Sequence, residues 1–292
     1  METIQTNNIT ETIINTINTI FNNLFSSIDE NLYTILDKLT FINTDILTDI
    51  TIKKLLNSDN LILIANSLLI GFVIYYCIKL LLSHLFYLEI EKPYQFIFKL
   101  IIFSICINYS YFICEQLIYF NDLISSSILE IGENIFNKNI NFSSLIENLN
   151  NIISSESNNN FNIFSIEGLL KSFISIELFN LVLTYSLRYI LIKIFILISP
   201  FAILSLTNQS SSWFFKSWFR NFLSLLLLQA FVSIILLIIF SIEVKTYDIL
   251  LKFIYISGIY VLCKANIYIK ELIGGISINT SNYVNKFRSI LK

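Results

Sequence analysis

Several runs of this chain are apolar over lengths that match a lipid bilayer, and nothing else in the sequence constrains its fold as strongly. Residues 61 to 82, LILIANSLLIGFVIYYCIKLLL, would reach roughly 33 Å as a helix, enough for a hydrocarbon core of about 30 Å. The one charge in that run, Lys79, lies near an end from which an ammonium can snorkel to the headgroups. A second run, residues 96 to 120, enters just after Pro93 and carries Lys99 near one end and Glu115 toward the other. Residues 172 to 206 are apolar for about 52 Å if wholly helical, longer than a bilayer is thick. No glycine, proline or asparagine cluster divides that run into a hairpin, so we expect one long tilted helix that kinks or ends near Pro200 and projects into the cytoplasm. Residues 222 to 242 form a fourth run with Gln229 as its strongly polar member, and residues 247 to 264 a less apolar fifth with Lys252 inside it.

Composition agrees. Of the 292 residues 55% are hydrophobic and only 14% charged, against about a quarter charged in soluble domains, and the mean hydropathy is +0.70. The expected fold is therefore all-α: a polytopic membrane protein of about five spans with amphipathic extracellular helices. Residues 8 to 28 place Ile9, Ile13, Ile17, Ile20, Phe21, Leu24 and Ile28 at helical spacing among Asn, Thr and Ser. Such a helix either lies on the outer membrane surface or packs on protein. Residues 121 to 171 are rich in Asn, Ser and Glu and predict an external loop with short amphipathic helices. The expected divisions are an external segment 1–60, two spans within 61–120, the loop 121–171, three spans within 172–264 and a basic tail 265–292.

The charges orient these spans. Lys79, Lys92 and Lys99 flank the first connection, Lys216 and Arg220 lie in residues 207 to 221 without an acidic neighbour, and the tail carries Lys264, Lys270, Lys286, Arg288 and Lys292 against Glu271. Lysine and arginine collect on the cytoplasmic side of short loops. Residues 1 to 60 hold eight acidic and three basic residues and belong outside. An external N-terminus and a cytoplasmic C-terminus require an odd number of spans, in keeping with five across the plasma membrane. The first residues, METIQTNNITETI, lack the basic n-region of a signal peptide, so none is expected.

Chemistry-bearing motifs are few. His84 is the only histidine, and Cys77, Cys106, Cys114 and Cys263 sit in or beside apolar runs without metal-ligand spacing. No phosphate-binding GxxxxGK[ST] loop occurs. Neither an enzyme nor a metal or cofactor site is expected. Ionisable residues inside spans are costly and mark pathways or helix pairing, which singles out Glu115, Glu177, Arg188, Lys193 and Lys252. Glu177 and Arg188 are eleven residues apart, about three helical turns, and share one face. That face either forms a polar stripe toward other subunits or an aqueous cavity, or holds Arg188 against a neighbouring helix. Trp213 and Trp218 beside Lys216 and Arg220 read as an interfacial anchor on an anionic leaflet, and Gly274 and Gly275 as a helix end.

The order of LRYILIKIFILISPFAILSL, the basic SSSWFFKSWFRNF, the span LLLLQAFVSIILLII and the closing KANIYIKELIGGIS resembles the TrbL family of conjugative transfer proteins over about residues 170 to 280. The matching positions are Pro200, Trp213, Trp218, Gln229, Glu271, Gly274 and Gly275. The resemblance implies a channel or scaffold subunit of a type IV secretion apparatus, working with separate ATPases and other subunits, in lipid, in one copy or several, and in passing contact with translocated DNA or protein. The sequence is short against that family, and the family's long hydrophilic C-terminal domain is not expected in it. A small-solute permease is the rival expectation, although the chain shows no internal repeat.

Overall fold

A computed structural model describes residues 12–13, 15–17, 19–20, 30–48, 60–86, 92–154, 166–208, 210–242 and 249–274. Among these residues the secondary structure is helical, with no strand. The helices are α1 (Glu30–Thr40), α2 (Asp45–Thr48), α3 (Asn60–Phe86), α4 (Pro93–Asn108), α5 (Ser110–Phe136), α6 (Phe142–Ser154), α7 (Ile166–Leu204), α8 (Ser212–Phe240) and α9 (Ile249–Ile273), with a 3-10 turn at Ser205–Thr207. Three of them are long and apolar enough to cross a membrane, Leu61–Phe86, Gly168–Thr207 and Ser212–Phe240, and a fourth crossing is added if α4 and α5 count as one bent span. The described positions between residues 12 and 20 are helical with Ile13 and Ile20 more than half exposed; the rest of the predicted 8–28 helix lies outside the described residues.

Local chemistry sets most helix ends. Pro93 opens α4 after an extended Lys92, because the first turn needs no N–H from proline and its fixed φ already suits a helix. Asn137 closes α5 at φ 51° and Gly274 closes α9 at φ 78°, the left-handed cap that these two residue types accept. Asn141 caps α6, its Oδ1 accepting the Ser144 N–H at 2.7 Å.

The long run at 172 to 206 forms one helix, as expected, but α7 continues a turn beyond Pro200. Proline cannot donate to the carbonyl four residues back, so Ile196 O is released; the Ser199 hydroxyl donates to that oxygen at 2.7 Å. A side-chain donor replaces the missing backbone one, and the helix survives.

Four expectations are corrected. The predicted second span, 96–120, is neither straight nor complete: it breaks at Tyr109, whose φ of −95° and ψ of 9° leave the helical region, and α4 and α5 meet there at a bend of 61°. Helix α5 then runs to Phe136, so the helix expected in the first part of the 121–171 segment continues α5 instead of standing apart as a short one. One face of α5 is buried, with Asn121, Ser125 and Gly132 recurring at helical spacing, while Ser126, Glu130 and Glu133 on the other face stay exposed. The predicted 207–221 loop is helical from Ser212 onward. Helix α9 likewise extends through the start of the predicted 265–292 tail, burying Ala265, Asn266 and Ile269. In each case hydropathy ended a segment where polar residues began, whereas helix packing buries polar residues that find partners.

Helices α5, α7, α8 and α9 form a bundle. Asn121 meets Gln229 and Gly132 meets Leu237, so α5 runs parallel to α8. Arg188 meets Leu225 and Phe195 meets Trp218, so α7 is antiparallel to α8. Gly258 lies against Ile239 and Gly274 against Arg220, so α9 is also antiparallel to it. A Cβ on Gly258 would come within 2.7 Å of Ile239 Cδ1, which is why the smallest residue stands where α8 and α9 approach. One end of the bundle thus gathers the start of α8, with exposed Lys216 and Arg220, and the end of α9, with exposed Lys270. Near the other end α5 presents exposed Glu130 and Glu133.

Two apolar clusters fill the bundle. One joins Leu36 of α1 with α6 and with residues of α7, α8 and α9 such as Tyr185, Leu236 and Ile259. The other joins Ile42 and Ile46 with Cys114, Ile118, Ile192, Ile196, Trp218 and Phe222. The α3–α4 hairpin, with Tyr76 stacked on Phe96 at 3.8 Å, attaches through Ala65 and Ile107 to Ile203 and Leu204. Most of α3 is left exposed by the other described residues.

Candidate functional site

The polar centre of the molecule lies between the two apolar clusters, where residues 40 to 46 thread into the bundle. Leu36 belongs to one cluster and Ile42 and Ile46 to the other, so this short segment passes from one to the next. Within the predicted 1–60 segment Leu36, Thr40, Ile42 and Ile46 are buried. Helix α1 stops at Thr40, and α2 restarts at Asp45 after Asn43 Oδ1 accepts its N–H at 3.1 Å. A break inside a helical bundle releases backbone groups that need partners.

Two side chains of the long helices supply them. Arg188, wholly buried, donates from Nη1 to Thr40 O at 2.7 Å and from Nε to Leu225 O at 2.8 Å. It sits at the C-terminal end of α1, where the helix dipole favours a cation. Gln229, also buried, accepts at Oε1 from the Ile42 N–H at 3.1 Å and from Asn121 Nδ2 at 3.3 Å, and donates from Nε2 to Asp122 Oδ1 at 3.4 Å. One arginine and one glutamine on neighbouring helices thus clasp the broken segment, and α5 joins through Asn121 and Asp122.

A third clasp lies toward the first cluster. Asp37 accepts from the Phe142 N–H at 2.9 Å and the Ser143 hydroxyl at 3.5 Å, placing a carboxylate at the N-terminus of α6. Burial pushes the Asp37 carboxyl above its ordinary value of 3.8, with the bonds from Phe142 and Ser143 opposing the shift only in part. The folded state therefore holds this proton more tightly than the unfolded state. The stability contributed at Asp37 is full below about pH 3.8 and declines as pH rises through the raised folded value. Unfolding followed from pH 3 to 7 should show this decline in the native chain and lose it in Asp37→Asn, which keeps an acceptor for Phe142. An unchanged slope in the variant would assign the pH dependence elsewhere.

The structure separates the remaining predicted residues. Glu177 and Arg188 share the face of α7 that the spacing implied but do not bond: Glu177 O accepts from Cys263 Sγ at 3.3 Å, and its Oε2 has no hydrogen-bond partner. Lys193 lies over the Tyr189 ring at 4.5 Å. Pro200 and Lys252 are buried, Glu115 is half-buried, and Glu271, Lys216, Arg220 and His84 are exposed. Gly274 caps α9 as expected, while Gly275 lies outside the described residues. Among the described residues no group of three or more His, Cys, Asp or Glu side chains could hold a metal ion.

The two tryptophans, read together as interfacial anchors, part company. Trp213 is exposed, whereas Trp218 is buried and donates Nε1–H to Phe195 O at 2.9 Å while stacking on Phe222 at 5.4 Å. Five residues along a helix turn the side chain by about 140°, so the pair cannot share an environment. Trp213→Phe should leave blue-shifted fluorescence resistant to acrylamide. Trp218→Phe should leave the quenchable component and cost about 1 kcal/mol for the lost bond. Equal quenching of the two single-tryptophan proteins would contradict this placement.

Sequence reasoning missed Thr40, Ile42, Asn121 and Asp122. The available signal was the apolar spacing of Leu36, Leu39, Ile42 and Ile46 around an Asn-Thr-Asp break, which resembles an ordinary surface helix until its partners are known. Comparisons with protein-family models, curated proteins and solved structures return no match to this chain. Among the described residues the fold is all-helical, with three to four helices capable of crossing a membrane.

Proposed function

We propose that the chain is a non-enzymatic subunit of a type IV secretion or conjugative transfer apparatus. In this reading it helps carry DNA or protein across the plasma membrane beside separate ATPases. It crosses the bilayer five times, through α3, the bent α4–α5 pair, α7, α8 and α9, with the N-terminus outside and the C-terminus in the cytoplasm. The supporting observation is that the family-like segment forms one packed unit. Pro200 is accommodated within α7, Trp218 and Gln229 of α8 face the core, and Gly274 caps α9 against Arg220. Orientation is supported by the basic end of the bundle, with Lys216, Arg220 and Lys270.

Deletion of the gene should abolish conjugative transfer or secretion while sparing growth; undiminished transfer removes the reading. Reporter fusions test the topology separately. Fusions near residues 90 and 290 should report cytoplasm, and an external report at residue 90 would exclude α3 as the first span, the segment that leaves the bundle at its basic end.

One observation favours a second reading, a permease component for a small solute. Two helix breaks, at residues 41 to 44 and at Tyr109, lie in the same bundle as a buried arginine and amides, and interrupted helices around polar side chains are a transporter trait. Solute uptake by the purified protein in liposomes, with transfer unaffected by deletion, would select it.

A further inference from the structure

The clasp at Arg188 is incompletely satisfied, and its unsatisfied groups share one character. Arg188 Nη2, Thr40 Oγ1 and Ser224 Oγ are buried without a hydrogen-bond partner. Arg188 links the residues that carry them: its Nη1 is bonded to the carbonyl of Thr40, and its Nε to that of Leu225, next to Ser224 in the chain. The hydroxyls stand out against their counterparts. Ser125, Thr184, Ser199, Ser205, Thr207 and Ser233 are buried too, and each donates to a carbonyl three or four residues back. Thr40 and Ser224 do not, and neither does Ser110, at the start of α5, which is not bonded to Arg188.

All three groups can donate. The guanidinium carries a full positive charge, and its partners are two backbone carbonyls rather than a carboxylate. A buried charge without a counter-charge costs several kcal/mol, and a buried donor without an acceptor roughly 1–3 more. A neutral acceptor such as water would satisfy the donors and leave the charge. Asp122 is bonded to Gln229 Nε2 and not to the guanidinium, whose bonds go to Thr40 O and Leu225 O. Asn121 Oδ1, an unpartnered acceptor, belongs to a residue bonded to Gln229.

We propose that this point in the bundle binds a small monovalent anion, a halide or a short carboxylate. Arg188 Nη2 supplies the charge and the Thr40 and Ser224 hydroxyls donate. The anion completes the clasp between α1, α7 and α8, and its binding does not depend on whether the protein moves macromolecules or solutes.

Full-length protein in detergent, equilibrated in gluconate, would be titrated with chloride and separately with formate at constant ionic strength while thermal unfolding is recorded. Binding to the folded state alone should raise the unfolding midpoint saturably, by about 5 °C at a hundredfold excess over the dissociation constant. Stabilisation by chloride only assigns a halide; by formate only, a short carboxylate. Ser224→Ala and Thr40→Val retain the arginine and should shift half-saturation at least about tenfold, roughly the worth of one charge-assisted bond. Arg188→Met should abolish the response. If that variant does not fold, the two hydroxyl variants decide. No response to either anion, or an equal one in wild type and variants, overturns the proposal and leaves a water or a general salt effect.

Discussion

Replacing Arg188 with alanine should lower the unfolding free energy by about 3–6 kcal/mol, the sum of two hydrogen bonds from a charged donor at about 1.5–3 each. The substitution leaves Thr40 O without its side-chain donor at the end of α1 and opens space in the bundle. Both substitutions remove the desolvation cost of the buried ion, but Arg188→Met retains most of the volume and leaves less of a cavity, so its loss should be smaller. Denaturant unfolding in mild detergent, followed by the fluorescence of Trp213 and Trp218, measures both. A second readout isolates the clasp: with the native cysteines replaced, a cysteine at Ile42 should resist thiol reagents in the otherwise native protein and react when Arg188 is alanine. A loss below about 1 kcal/mol with residue 42 still protected would mean that apolar packing alone holds the segment.

Gln229→Leu is expected to cost about 2–4 kcal/mol although leucine is the more apolar residue. It strips Ile42 N–H and Asn121 Nδ2 of the acceptor they share, and leaving a buried donor unsatisfied costs about 1–3 kcal/mol apiece. Its effect should not add to that of Arg188→Ala. Both residues hold the same stretch, Thr40 to Ile42, and once one releases it the other has less to lose. The double variant should fall short of the sum by more than about 0.5 kcal/mol, the margin within which independent sites add. Strict additivity would mean that the two clasps act on separate structures.

These variants explain why a polar centre exists in so apolar a chain. A broken helix inside a bundle is tolerated only when protein groups replace the solvent that its free backbone would otherwise require. Arg188 and Gln229 meet that demand, and their desolvation is what it costs to keep Thr40 and Ile42 inside.

Much of this was legible in residue order. Apolar runs located α3, α7 and α8, Pro93 and Gly274 marked helix ends, and the eleven-residue spacing put Glu177 and Arg188 on one face. Each depends on residues within a few turns of one another, where the backbone period alone sets which side chains are neighbours. Tertiary structure decided the rest: that α5 runs past residue 120 and buries Asn121 and Ser125 in the core, that Trp218 turns inward while Trp213 does not, and that residues 40 to 46 are threaded between helices. The contacts responsible join residues 148 apart for Arg188 and Thr40 and 187 apart for Gln229 and Ile42. A polar residue within an apolar run announces that it must have a partner; only the packing of distant helices determines which.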